Sequence, residues 1–167
     1  HLSDLHLGKK LNEFSLYEDQ KYILQQLVQL ACEQKPDGVL IAGDVYDKSV
    51  PAAEAVTLFD SFLNQLAELK LPICIISGNH DSAERLAFGA QLMAQSGVHF
   101  AAAYDGRAQE VMLQDECGAV HIFLLPFLKP ALVKHFLNDE QAEQISSYHD
   151  ALKAAVAQLK IDKTQRN

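Results

Sequence analysis

Three short apolar runs, each ending in a polar cluster and separated by segments of helical period, constrain this chain more than any other feature. The runs are Leu2-Ser3 (the end of a strand), Gly38-Val39-Leu40-Ile41-Ala42 and Pro72-Ile73-Cys74-Ile75-Ile76. An apolar run with no polar face fits a strand buried on both sides, as in parallel sheets. From Leu16 to about Glu33, residues Leu16, Ile23, Leu24, Leu27, Leu30 and Ala31 recur at helical spacing, and Ser15 with Glu18 forms a capping box. Pro51 suits a first helical position, and Val56, Phe59, Phe62, Leu63 and Leu66 give an apolar face to a helix over 52–69. Asp81 with Glu84 makes a second capping box ahead of a helix over 83–95. The alternation predicts an α/β fold with a mainly parallel sheet flanked by helices.

After residue 97 the texture changes. Val98 to Phe100, Gln109 to Leu113 and Val120 to Leu125 read as β segments, with an antiparallel arrangement as one option. Pro126 and Pro130 bracket a loop, and helices are expected over 130–137 and 140–160. Ile161 to Asn167 reads as the approach to a further strand. The chain opens at His1 without a methionine and is expected to be incomplete at both ends.

Composition removes several classes. The 167 residues suffice for a hydrophobic core, and half of them are apolar, which excludes a disordered chain. No apolar run is long enough for a transmembrane helix. Cys32, Cys74 and Cys117 are odd in number and widely spaced, which points to a reducing, cytoplasmic setting. The formal charge of −8 argues against a broad basic surface, although divalent metals in a carboxylate-rich site can still attract phosphate.

The chemistry sits immediately after each strand: Ser3-Asp4-Leu5-His6, Gly43-Asp44-Val45-Tyr46-Asp47 and Gly78-Asn79-His80-Asp81. In a parallel sheet all three clusters reach the carboxyl edge, where α/β proteins bind ligands. Neighbouring strands are about 4.8 Å apart, so the clusters can converge. Asp4 and His6, two apart, would point the same way from extended chain. Carboxylate beside imidazole suits Mn, Fe or Zn. Asp44, at the end of an apolar strand, needs a partner or a metal to offset its burial. Asp47 reads either as a supporting acid or as a turn former, with the turn slightly favoured. Asn79 is a neutral oxygen ligand, His80 a candidate general acid, and Asp81 a candidate for orienting His80.

The order DxH, GD, GNHD resembles the calcineurin-like metallophosphoesterase superfamily, and within it the SbcD-like nuclease subunits of break-repair complexes. The stretches that carry the likeness are His1 to Gly8, Ala42 to Asp47 and Ser77 to Ser82, with Leu124 to Pro130 as a further match. The resemblance implies an α/β sandwich of mixed, mainly parallel sheets, truncated on its C-terminal side, with residues 1–167 forming the N-terminal part of a nuclease domain. It implies two divalent metal ions, most simply Mn2+. Asp4 and His6 would hold one, Asn79 the other, and Asp44 would bridge them. His80 would be the catalytic histidine, supported by Asp81.

By the same likeness the substrate is DNA, cut as a double-strand exonuclease and single-strand endonuclease. The partners would be an SbcC-like ATPase subunit and a second copy of the chain. Lys9 and Lys10, on a loop, and Arg85 are candidates for phosphate contacts. The family completes its metal centre with a lone histidine and a GHxH motif, and neither is recognisable here. His99, His121, His135 and His149 lie in other contexts. The isolated stretch is therefore expected to bind metal poorly. Two alternatives stand beside the nuclease: a phosphatase or nucleotide phosphodiesterase of the same superfamily, and a catalytically incomplete DNA-docking or dimerisation module.

Overall fold

Two compact units, His1–Ala102 and Ala103–Asn167, make up the computed structural model, which describes residues 1–167. In the first unit a small antiparallel hairpin, β1 (Lys10–Leu11) and β2 (Phe14–Ser15), precedes helix α1 (Tyr17–Gln34). Strand β3 (Val39–Ala42) leads to helix α2 (Ala53–Glu68), and strand β4 (Ile73–Ile76) to the short helices α3 (Ala83–Leu86) and α4 (Ala90–Ala94). Strand β5 (Val98–Ala101) completes a parallel sheet of order β3-β4-β5. The register pairs Ile41 with Ile75 and Ile75 with Phe100. The initial segment runs parallel to β3 through bridges from Leu2 to Ile41 and Leu7 to Tyr46.

The core lies between this sheet and the helices. Leu7, Ile41, Phe62, Leu66, Ile73 and Ile75 are almost wholly buried there. On α2 the buried face is Ala55, Leu58, Phe59, Phe62, Leu63 and Leu66, whereas Val56 falls off it and is exposed. On α1 only Leu24 is fully buried among the apolar residues, and Ile23 and Leu30 face solvent.

Several expectations about element ends need correction. Helix α1 starts a residue later than a Ser15 cap requires; the Ser15 hydroxyl accepts from the Tyr17 N–H, and Leu16 is the cap without a side-chain bond. The helix after the third cluster is capped by Ser82, because the Asp81 carboxylate is engaged elsewhere. That helix is also broken at Gly89, whose φ of 76° is left-handed and cannot continue an α-helix. Helix α2 begins at Ala53, two residues after Pro51. Strand β5 belongs to the parallel sheet and not to an antiparallel set. No helix is long and apolar enough to cross a membrane.

The second unit holds the antiparallel pair β6 (Gln109–Asp115) and β7 (Gly118–Leu124). Three short helices follow: α5 (Pro130–Lys134), α6 (Asp139–Glu143) and α7 (Tyr148–Ala157). The single helix expected over 140–160 is thus divided, since Ser147 caps α7 with a reciprocal Ser147–Asp150 box. Tyr104, Leu128, Val133, Ile145, Ala151 and Ala155 form its core. Near the end, Arg166 pairs with Asp115 and bridges Val120 in parallel.

The Ser146 and Ser147 hydroxyls and N–H groups hold the Asp150 carboxyl down to about 2, against an ordinary 3.8. Its folded value is depressed, so this support is complete above pH 3.8 and disappears as pH falls toward 2. Ser147→Ala should lower stability by about 1 kcal/mol at neutral pH, read as a shift of the urea midpoint. The difference from wild type should shrink in acid.

Candidate metal centre

The first three polar clusters meet at the carboxyl edge of the parallel sheet, each positioned by hydrogen bonds to its neighbour. The Asp4 N–H donates to the Gly43 carbonyl at 3.1 Å, the His6 N–H to the Asp44 carbonyl at 2.9 Å, and the Leu7 N–H to the Val45 carbonyl at 2.9 Å. The segment is not extended, however. Asp4, His6 and Asp44 all have left-handed backbones, with φ of 54°, 43° and 48°. Such conformations cost about 1–3 kcal/mol each in non-glycine residues and concentrate at functional sites. Three of the four residues expected to ligate metal carry this strain.

The side chains converge accordingly. The His6 Nε2 lies 3.9 Å from both the Asp4 Oδ1 and the Asp44 Oδ2. Ligand atoms of His6, Asp44 and His80 all fall within 4.8 Å of one another. The His6 and His80 rings meet edge to face at 4.8 Å. Asp44 is buried, and its Oδ1 accepts the His80 N–H at 3.0 Å, which ties the second cluster to the third. Asn79 is exposed and lines an open cleft of about 540 Å³ with Asp47, Lys48, Ser49, Val50 and His80.

Gly78 permits this approach. A Cβ there would stand 2.0 Å from the Asp44 Oδ1 and 2.3 Å from its backbone nitrogen. The Asp81 carboxylate does not touch His80; it accepts the N–H groups of Val45 (3.2 Å), Tyr46 (2.9 Å) and Gly78 (2.9 Å), locking two loops together. The backbone carbonyl of Asp47 instead orients His80, accepting from Nδ1 at 2.8 Å and leaving Nε2 as the remaining ring nitrogen. That bond is the main reason the His80 pKa is raised, helped by the Asp44 and Asp47 carboxylates and opposed by desolvation and by Lys9.

Asp47 is more than a turn former. Its carboxylate lies 3.6 Å from the His6 Nδ1, a buried nitrogen with no hydrogen-bond partner, and 3.9 Å from the Lys9 ammonium. Lys9 is therefore engaged at the site's edge. Lys10 lies in β1 and not on a loop, and Arg85 is exposed on α3. Sequence reasoning missed Gln20, a buried polar residue in the first turn of α1 that bonds to the His6 loop. Its one signal was a polar residue on the helix face that also carries Leu24.

Imidazole nitrogens and carboxylate oxygens that meet at one sheet edge are donors of the kind that suit Mn, Fe or Zn. The orientation of His6 fits such a role. Its Nε2 faces the two acids, while its Nδ1 lies 3.6 Å from the Asp47 carboxylate, beyond hydrogen-bond reach but on the side where a metal-bound histidine usually has its second partner.

Comparison with known proteins points to the same chemistry. Residues 1–143 match the model of the calcineurin-like phosphoesterase family. Over 162 residues, 95% of the chain, the sequence is 40% identical to the SbcD subunit of the SbcCD nuclease from Staphylococcus epidermidis. That alignment covers 41% of the relative, so the chain spans less than half its length.

Proposed function

Because the chain belongs to the calcineurin-like phosphoesterase family, we propose that it is the N-terminal part of a metal-dependent DNA nuclease subunit. The observation that carries this reading is the convergence of His6, Asp44 and His80 ligand atoms within 4.8 Å at the edge of the sheet. The similarity to a nuclease subunit over 95% of the chain supports DNA as the substrate. We assign to it double-strand exonuclease and single-strand endonuclease action. We further propose an SbcC-like ATPase partner, which the name of the relative's complex supports, together with a homodimer and a cytoplasmic location.

In this reading Asp4 and His6 would hold one divalent ion and Asn79 a second, with Asp44 serving both and Mn2+ the preferred metal. Bound there, the ions supply Lewis-acid stabilisation of the charge that builds on a phosphodiester during hydrolysis. The chain's own residues supply the rest. His80 stands exposed at the cleft, its Nδ1–H held by the Asp47 carbonyl and its backbone by Asp44. Its ring can donate a hydrogen bond to a phosphoryl oxygen or, when protonated, a proton to the departing sugar oxygen. Asp81 acts at a distance from the substrate, keeping Gly78 and the Val45-Tyr46 backbone in place. Lys9, Lys10 and Arg85, each within a few residues of a ligand cluster, are the cations assigned to the DNA backbone.

The full-length protein with Mn2+ is expected to degrade linear duplex DNA, and Asp44→Ala or His80→Ala to slow this by on the order of a hundred- to a thousandfold. Undiminished cleavage by both variants would sink the assignment. Hydrolysis of p-nitrophenyl phosphate without any DNA cleavage would favour a phosphatase of the same family.

A further inference from the structure

One buried side chain outside every ligand motif grips the strained segment that carries Asp4 and His6. Gln20, in the first turn of α1, is only 9% exposed. Its Nε2 donates to the carbonyls of Leu5 at 3.2 Å and His6 at 2.7 Å, and its Oε1 accepts the Gly8 N–H at 3.0 Å. Both amide hydrogens and the amide oxygen are therefore committed to one loop. On the other side, the N–H groups of Asp4, His6 and Leu7 are held by Gly43, Asp44 and Val45. The left-handed peptides at Asp4 and His6 are thus clamped between a helix and the sheet edge. Backbone strain of this kind persists only where the surroundings over-determine it.

We propose that Gln20 is a positioning residue for the metal centre. It fixes the backbone from which Asp4 and His6 reach toward Asp44, and so sets how tightly and in what geometry a divalent ion is held. This rests on the reading of Asp4 and His6 as ligands. A residue that merely satisfies loop polar groups would affect folding but not the affinity of the folded site.

The test uses the full-length protein and Mn2+ alone, followed by calorimetry and by the electron paramagnetic resonance line shape. Gln20→Met keeps the volume and deletes all three hydrogen bonds; Gln26→Met, at an exposed position of the same helix, is the control. Gln20→Met, verified as folded by circular dichroism, should bind Mn2+ about 10–100-fold more weakly with an altered line shape. Gln26→Met should match wild type. Wild-type affinity and line shape in folded Gln20→Met would overturn the proposal, even if that variant melted earlier. If Gln20→Met does not fold, Gln20→Glu retains the acceptor for Gly8 but sets a carboxylate against two carbonyls. It should weaken binding at least tenfold, and unchanged affinity there would equally overturn the proposal. Equal Mn2+ binding by wild type and His6→Ala would instead overturn the ligand assignment, and the role of Gln20 with it.

Discussion

Gly78→Ala is expected to lower stability by on the order of 4–5 kcal/mol, in the range reserved for severe core disruption, and to abolish Mn2+ binding. The new methyl would stand 2.0 Å from the Asp44 Oδ1, 2.3 Å from the Asp44 nitrogen and 2.7 Å from its Cγ. A flexible side chain can swing away from such a contact, but a backbone nitrogen can yield only if the second cluster moves. Any such movement separates Asp44 from the His80 N–H, to which it is bound at 3.0 Å. Gly97→Ala is the informative comparison. A Cβ there meets nothing within 4 Å, and the left-handed φ of 80° is the whole penalty, about 1–2 kcal/mol. Urea unfolding of the two variants side by side, with a calorimetric Mn2+ titration, checks the contrast. Comparable losses in both would show that the close approach to Asp44 is not what makes glycine necessary at position 78, whose own backbone is not left-handed.

Asp81→Ala should cost about 3–5 kcal/mol, because it strands three backbone donors at once and each buried unsatisfied group costs about 1–3 kcal/mol. The donors are the N–H groups of Val45, Tyr46 and Gly78, and Val45 is completely buried. Asp81→Asn should lose roughly half as much. Its single oxygen can serve Val45 and Gly78, which share Oδ2, while its amide would face the Tyr46 N–H that Oδ1 now accepts. Tyr46 provides a second readout. Its hydroxyl is pushed up to about 12, first by burial and then by the Asp81 and Asp60 charges. Spectrophotometric titration of the alanine variant should find this value lowered but still above 10.0, since burial remains. A Tyr46 titration unmoved by loss of Asp81, together with unchanged stability, would contradict the contacts described for this carboxylate.

The sheet and the meeting of the three clusters were legible because both depend on strong, local signals. Apolar runs such as Val39 to Ala42 and Ile73 to Ile76 leave few alternatives to buried parallel strands. Clusters that follow adjacent parallel strands must lie near one another. What escaped the sequence depends on backbone detail. The left-handed turns at Asp4 and His6 carry no glycine signature, since tertiary hydrogen bonds and not residue preference impose them. The Asp81–Glu84 capping pattern was misleading because two distant N–H groups, of Val45 and Tyr46, together with that of nearby Gly78, outcompete the helix end for the same carboxylate. Gln20 was silent for a similar reason: its partners lie 12 to 15 residues away. The hairpin of Lys10–Leu11 with Phe14–Ser15 is too short to show any period.

The parallel register has a consequence for how this chain can vary in length. Asp44 and His80 are 36 residues apart, yet their bond depends on Ala42 standing beside Ile76 at the ends of β3 and β4. Residues added or lost in the connections 35–38 or 69–72 leave that alignment to the strands themselves. A slip of β3 by a single residue against β4 would carry Asp44 past Gly78 and turn every β3 side chain to the opposite face. Insertions and deletions in descendants of this sequence should therefore be confined to the helix–strand connections, with the strand ends acting as fixed points of the lineage.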